Sequence, residues 1–485
     1  MLDGRSLTPE QLMAVAAGTM SLKLGARTRD QLNETAATFA ELGRVDILRS
    51  KWQWLVGGDV PTEPDQAVRA FIESHCAGVG EPLPAIVVRA MLVARANALA
   101  VGASGVRAAL VERILSMLER GWVPKVPARG AVGAAGSIAL AHVARVVLGI
   151  GGDVAVAGDP SFAPFDDADW PVFAATEKEA LSLINGSSLT TGVAALASVE
   201  ASRVLAAAEA ACALTMEAVL ADRDSVNAQA AARRNHDGIR EVTERLAAWT
   251  EGSGLVTSKR NPDNFAVRCA PTVLGTARRA LRECTDVVTA ELNAPSDNPL
   301  WIDGRLIEGG HFHAAPVALA MDLLKTSLVQ VAGIAERRIF RLTYGALSGL
   351  PSFLVPDSGV NSGLMLAQYT AASVTSEARM LTMPASVDSV PTVQHQEDHV
   401  SMGPNAARSA RQVVERVADV IAIELLCAAQ ALDLRRKAGD GNPGPRTQAL
   451  WESVRALVPT LVEDRMLEPD ITTLADAIRR GDLPA

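Results

Sequence analysis

A chain of 485 residues is long enough for two or three ordinary domains or one large helical body. With 48% hydrophobic and 21% charged residues it has the make-up of a globular protein, and a net charge of −9 argues against nucleic acid or an anionic membrane as its principal partner. Aromatics are only 4%, while alanine, leucine and valine dominate, a balance that suits long, closely packed helices.

Leu7-Thr8-Pro9-Glu10 reads as a helix start, with Thr8 as cap and Pro9 at the first position. Helical patterns cover roughly 9–19 and 29–50. Residues 51–61 form a loop with Trp52, Trp54 and a Gly-Gly pair, read as loop packing or as a lid. From 65 to 118 the pattern is helical again, broken at 78–84. The stretch 129–142 follows, with glycine at 130, 133 and 136 and an apolar helical pattern from Ile138 to Leu148. It is no phosphate loop: there is no Gly-Lys-Ser/Thr, no preceding strand pattern and no acidic residue at dinucleotide spacing. By pattern alone it is a glycine-rich turn leading into a buried helix.

Residues 151–170, rich in Asp, Pro and Gly, read as a loop, and Thr176 and Glu179 have capping-box spacing. Long helices follow over 194–221, 271–292, 316–342, 362–381 and 405–437, each much longer than an average globular helix. Strand signals are nearly absent; 300–302 and 305–307 suit one small hairpin. After the loop 439–445 a last helical stretch runs to the end. The expected organisation is an N-terminal helical domain over 1–192 and a central bundle with C-terminal helices over 193–485. Such alanine-rich helices bury flanks on more than one side, which a bundle extended by neighbouring subunits satisfies.

No apolar run is long enough to span a bilayer without charges; the nearest, 131–151, is interrupted by His142 and Arg145. The polar opening Met1-Leu2-Asp3-Gly4 is no secretory leader, so a cytoplasmic protein is expected. Cys76, Cys212, Cys269, Cys284 and Cys427 are dispersed without metal-type spacing and read as free thiols. No metal site is expected.

Several stretches together carry a resemblance. They are 74–83 (SHCAGVGEPL), 129–142 (RGAVGAAGSIALAH), 183–186 (LING), 295–299 (PSDNP), 309–313 (GGHFH), 359–363 (GVNSG), 386–389 (SVDS) and 396–402 (QEDHVSM). In this order and at these separations the chain resembles the histidine and phenylalanine ammonia-lyase family, closest to the histidine branch, over nearly its whole length. The resemblance implies an all-α, long-helix bundle of the ammonia-lyase (fumarase/aspartase-like) type. It also implies a homotetramer with active sites shared between subunits, acting on a small carboxylate.

The departures are as informative. In the family an Ala-Ser-Gly triad cyclises into a methylidene-imidazolone electrophile; here the triad positions are Ala134, Ala135 and Gly136. Alanine has no hydroxyl to lose as water, so no such cofactor is expected. Ser137 is no substitute, because Ile138 rather than glycine follows it. The family's tyrosine loop corresponds to 52–58 (WQWLVGG), without tyrosine, and a second family tyrosine corresponds to Phe265, three residues before Arg268.

Residues that still match, position by position, are His75 near the substrate and Asn185 against the old cofactor space. Arg268 matches the carboxylate-gripping arginine, and Glu397 the glutamate facing the substrate side chain. Gln394 and His395 precede Glu397, and His311 precedes Phe312; both histidines stand where the family usually has asparagine. The resemblance therefore gives Glu397, His75 and His395 as candidate catalytic groups. Arg268, Asn185, His311, Phe312, Phe265, Gln394 and Trp52 become candidate substrate-binding groups. His313 and His399 fall in segments usually read as structural. For His75 the alternative is a helix-end histidine satisfied locally; for Arg268, a surface ion pair; for His311 and His395, neutral packing changes. Two functions remain: an enzyme reusing the pocket for a lyase, addition, isomerase or cyclase reaction without the electrophile, or an inactive homologue that binds a ligand or serves as a partner subunit. A normal ammonia-lyase with an unforeseen electrophile is the least favoured.

Overall fold

The computed structural model describes residues 1–41, 63–134, 137–156, 158–258 and 263–484. The architecture is all-α, as the sequence indicates. The longest helices are Ser188–Ala218, Ala270–Leu292, Ala315–Thr343 and Gly403–Ala438, of 31, 23, 29 and 36 residues. The capping box expected at Thr176–Glu179 forms, and Thr8, expected as a cap, forms a second box with Gln11. The helix Ile138–Leu148 has the predicted limits and stops at Gly149 in a left-handed conformation.

Strand content exceeds the expectation of one hairpin. That hairpin is present, β6 (Leu300–Ile302) with β7 (Arg305–Ile307). In addition, β1 (Val79–Pro82) pairs antiparallel with β3 (Pro127–Arg129), and β2 (Trp122–Pro124), β4 (Asp153–Val156) and β5 (Asp159–Pro164) form a three-stranded sheet. The predicted loop 151–170 thus contains two strands. It is held by stacked cations and rings: Arg113 lies 4.0 Å from the Trp170 ring centroid, Arg120 lies 4.7 Å from that of Trp122, and the two tryptophans meet edge-on at 5.1 Å.

The chain divides into two compact units. The first comprises Met1–Val199, Cys284–Asp322 and Pro384–Arg408. Its core includes the helix Ala85–Ala100, buried on every side from Val87 onward. A helix buried all round must satisfy its polar residues internally. Arg89 does so by donating to the carbonyls of Val15, Ala16 and Leu118 at 2.7–3.1 Å, closing the ends of two neighbouring helices. The second unit comprises Glu200–Glu283, Leu323–Met383 and Ser409–Ala485. In it Arg338 and Glu424, both fully buried, form a two-pronged ion pair at 2.6 and 2.8 Å.

All five cysteines are free. Among the described residues two helical stretches are apolar enough by length and composition to cross a membrane, Glu177–Ala218 and Ala315–Thr343, and their apolar windows are 100% and 67% buried, as core helices are.

Candidate active site

The glycine-rich stretch leaves β3 at Arg129 and is pinned by two distant segments. The Val132 carbonyl accepts from the Met402 amide at 2.8 Å, and the Gly133 carbonyl from Ser401 Oγ at 2.7 Å and the Ala314 amide at 3.3 Å. Only glycine fits at 133: φ is +80°, and a Cβ would lie 2.3 Å from Ser401 Oγ. Ala134 is buried against Val400 and Met402. Ala135, Gly136 and Trp52 lie outside the described residues. The chain resumes at Ser137, whose amide donates to the Ile184 carbonyl at 2.7 Å and whose hydroxyl caps the helix Ile138–Leu148. That hydroxyl already has a structural task.

Asn185 ends the helix Glu177–Ile184 and is fully buried. Its Nδ2 donates to Asp297 Oδ1 at 3.1 Å and to the Asn298 carbonyl at 2.8 Å. Both partners only accept, so the amide orientation is fixed, and Oδ1 is left buried without a donor among the described residues. Asp297 is itself held by Lys178 Nζ at 2.7 Å and Ser182 Oγ at 2.8 Å. Burial alone would push its carboxyl up; the Lys178 ammonium, the Arg95 guanidinium and the hydrogen bonds outweigh this and hold it below the ordinary carboxylate value. Gly186 follows at φ +144°, where a Cβ would meet the Ser296 carbonyl at 2.1 Å.

His75 closes the helix Pro64–Ser74. Its Nδ1 lies 2.8 Å from the Phe71 carbonyl, which only accepts, so the proton sits on Nδ1 and Nε2 is the basic nitrogen. This is in part the locally satisfied histidine foreseen as the alternative. Beyond it Gly78 packs on Ile138 and the Arg129 carbonyl, and β1 pairs with β3, tying the 74–83 segment to the glycine-rich stretch.

Glu397 is half-buried and accepts from Thr392 Oγ1 at 2.8 Å, while the Thr392 amide donates to the Glu397 carbonyl at 2.8 Å. Between these two residues Val393, Gln394 and His395 all have positive φ, 48°, 52° and 68°, a rare conformation for side-chain-bearing residues and rarest for valine. Gln394 and His395 are exposed on this turn; His311 is exposed and Phe312 half-buried on the other. The two turns meet through His313 Nε2 and His399 Nδ1, 3.2 Å apart with stacked rings. Burial, and then the neighbouring His399, push the His313 pKa below the ordinary imidazole value.

The first unit therefore assembles His75, Asn185, Ala134 and the 311–313 and 394–402 turns around one loop. Phe265 and Arg268 belong to the second unit, on the single-turn helix Phe265–Arg268. Both are exposed, and the Arg268 guanidinium lies 4.8 Å from the Phe265 ring centroid. Arg268 makes no ion pair among the described residues. Among the described residues no group of three or more His, Cys, Asp or Glu is placed to hold a metal. Sequence reasoning did not single out Lys178, Ser182 and Asp297; the signal was the 178/182/185 spacing, which puts three polar residues on one helix face.

The model of the aromatic amino acid lyases matches residues 7–456. The chain belongs to this family. It is similar to the histidine ammonia-lyase of Symbiobacterium thermophilum, with 44% identity over 438 residues that cover 88% of this chain and 86% of that one. It is 40% identical to the histidine ammonia-lyase of Anaeromyxobacter sp. strain K over 505 residues, covering 100% and 99%. Among solved structures, histidine ammonia-lyase from Trypanosoma cruzi matches with a TM-score of 0.87 at 35% identity, covering 99% of this chain and 93% of that chain. Tyrosine aminomutase from Streptomyces globisporus matches with a TM-score of 0.90 at 31% identity, covering 99% and 97%. The fold and family read from the motifs thus hold over the whole chain.

Proposed function

We propose that this member of the aromatic amino acid lyase family works without the methylidene-imidazolone ring, using the inherited pocket for a lyase, addition, isomerase or cyclase reaction on a small carboxylate. The observation that carries the reading is alanine at position 135, where ring formation needs a hydroxyl that can leave as water. Asn185 supports it: both of its N–H groups are engaged by Asp297 and Asn298, so it offers the site an acceptor rather than a donor. The ring does not fit these residues.

In the elimination direction a base takes the proton from the carbon beside the substrate carboxylate. The carbon–hydrogen electrons become the new double bond, and the neighbouring carbon loses a leaving group that is already activated. Glu397 and His75, with Nε2 as its basic nitrogen, are the candidate bases; His395 is a third. Arg268 is the group suited to grip the carboxylate, because its planar fork matches two oxygens and no carboxylate among the described residues occupies it. We further propose that the protein is a cytoplasmic homotetramer whose sites are completed between subunits.

The test is untargeted. The purified protein is incubated with metabolite extract from its host, with Glu397→Gln as control, and species are followed by mass spectrometry. A carboxylate consumed only by the unmutated protein is expected, and its mass change names the reaction. Turnover unaffected by Glu397→Gln and Arg268→Ala overturns the assignment of roles. An intact mass short by water overturns the absence of the ring.

A further inference from the structure

Two guanidinium groups flank the end of β3, where the glycine-rich stretch begins. Arg408, in the second turn of the helix Gly403–Ala438, donates from Nη1 to the Ala128 carbonyl at 3.0 Å and from Nη2 to Asn405 Oδ1 at 3.1 Å. Arg129 is the next residue after that carbonyl. Its side chain lies over Gly80 on the paired strand, where a Cβ would be 3.6 Å from Arg129 Cδ and 3.8 Å from Nε. Arg408 is half-buried and Arg129 exposed.

Neither cation meets a carboxylate among the described residues. Both hydrogen bonds of Arg408 go to neutral oxygens, and Arg129 has no ion pair. Glu81, on the facing strand, pairs with neither. Burial, and then the positive charge of Arg129, pull the Arg408 pKa down. Two like charges side by side, one of them partly desolvated, are unfavourable unless an anion balances them. This arrangement stands out in a chain whose net charge is −9. Gly80, at φ +93°, presents no side chain beneath Arg129.

We propose that Arg129 and Arg408 form an anion-binding recess at the start of the glycine-rich loop, one that takes a carboxylate or phosphate group. Arg408 is anchored by its two neutral acceptors and presents its remaining N–H edge. Arg129 is unanchored and closes on the ligand as a fork. The recess lies in the same unit as His75, Asn185 and Glu397 and is distinct from Arg268, to which the reading above gives the substrate carboxylate.

The experiment is calorimetric titration of the full-length protein with inorganic phosphate and, separately, with succinate, at low and moderate salt. The unmutated chain is expected to bind at least one of them, more weakly as salt rises. Arg129→Gln is expected to weaken that binding at least about tenfold, the loss of one charge-assisted contact. This variant is expected to fold, because the Arg129 side chain is exposed and makes no hydrogen bond among the described residues. Arg129→Lys should recover part of the affinity through charge alone. Succinate binding that falls with Arg268→Gln but not with Arg129→Gln belongs to the substrate pocket rather than to this recess and overturns the proposal. Preference for phosphate assigns the recess to a phosphorylated ligand, and preference for succinate assigns it to a carboxylate. Binding of neither anion, or equal binding by Arg129→Gln, overturns the proposal.

Discussion

Asp297→Asn is the most searching single substitution, because the change is nearly isosteric and every consequence is electrostatic. Asp297 is 1% exposed and bonded to Lys178 at 2.7 Å, to Ser182 at 2.8 Å and to Asn185 at 3.1 Å. Asparagine keeps one acceptor for Asn185 but turns an N–H toward the Lys178 ammonium. It also removes the carboxylate that faces Lys178 and Arg95, which are 3% and 1% exposed. Breaking a buried ion pair from one side costs about 3–5 kcal/mol. That corresponds to roughly 10²- to 10⁴-fold faster hydrogen exchange of the amides in 177–187, provided exchange proceeds through opening. The double variant Asp297→Asn, Lys178→Met should exchange more slowly than the single one, because neutralising both partners removes the stranded ammonium. The folded carboxyl is depressed, so its contribution is present above the ordinary carboxyl pKa and is lost as pH falls through the depressed value. The gap between wild type and variant should therefore close in acid. A double variant whose loss equals the sum of the two singles refutes the reasoning.

Glu291, held by Ser187, has its carboxyl pushed up by burial, with the Ser187 hydroxyl offsetting part of the rise. The stability linked to its proton is present below the unfolded pKa and is lost as pH rises through the raised one. Glu291→Gln should therefore gain thermal midpoint relative to wild type as pH rises, and show no gain in acid. Gly133→Ala places a methyl 2.3 Å from Ser401 Oγ at φ +80°, so a loss of roughly 2 kcal/mol or more is expected in the thermal midpoint. Thr176→Ala removes the cap of the helix that ends at Asn185; a cost of about 1 kcal/mol should appear as faster exchange of the Glu179 amide.

Local chemistry made much of this fold readable. Thr8-Pro9 and Thr176…Glu179 carry their own capping geometry, and the run Ile138–Leu148 carries its own periodicity. The missed strands lack such signals. β1 is Val-Gly-Glu-Pro and β5 is Asp-Pro-Ser-Phe-Ala-Pro, compositions that punctuate chains rather than extend them. They are strands because a partner pairs with them, which is a tertiary effect. The site divides in the same way. Motif resemblance supplied His75, Asn185, Glu397 and the 309–313 turn as candidates. The bond between Lys178 and Asp297 joins residues 119 positions apart, so its partners could not be matched from spacing. Nor do the side chains of Val393, Gln394 and His395 announce three successive positive φ angles, which the bridge between Thr392 and Glu397 imposes.

The Lys178–Asp297 pair also bears on what the site is for. Replacing a buried ion pair with apolar groups of similar volume is often neutral or stabilising, so stability alone does not explain one. This pair, with Ser182, fixes Asp297, and Asp297 with the Asn298 carbonyl fixes which atom Asn185 presents. The glycine-rich loop is fixed just as firmly, through Met402, Ser401 and Ala314. Alanine stands at position 135, next in the chain to this firmly held stretch. An acceptor held this rigidly suits a ligand that brings a donor, such as an ammonium or hydroxyl group beside its carboxylate. Asn185→Asp, which puts a charge where the amide oxygen stood and removes the N–H groups, should therefore disturb ligand binding more than Asn185→Ser, which keeps a neutral acceptor. Equal loss of binding in the two variants would show that Asn185 acts only through packing.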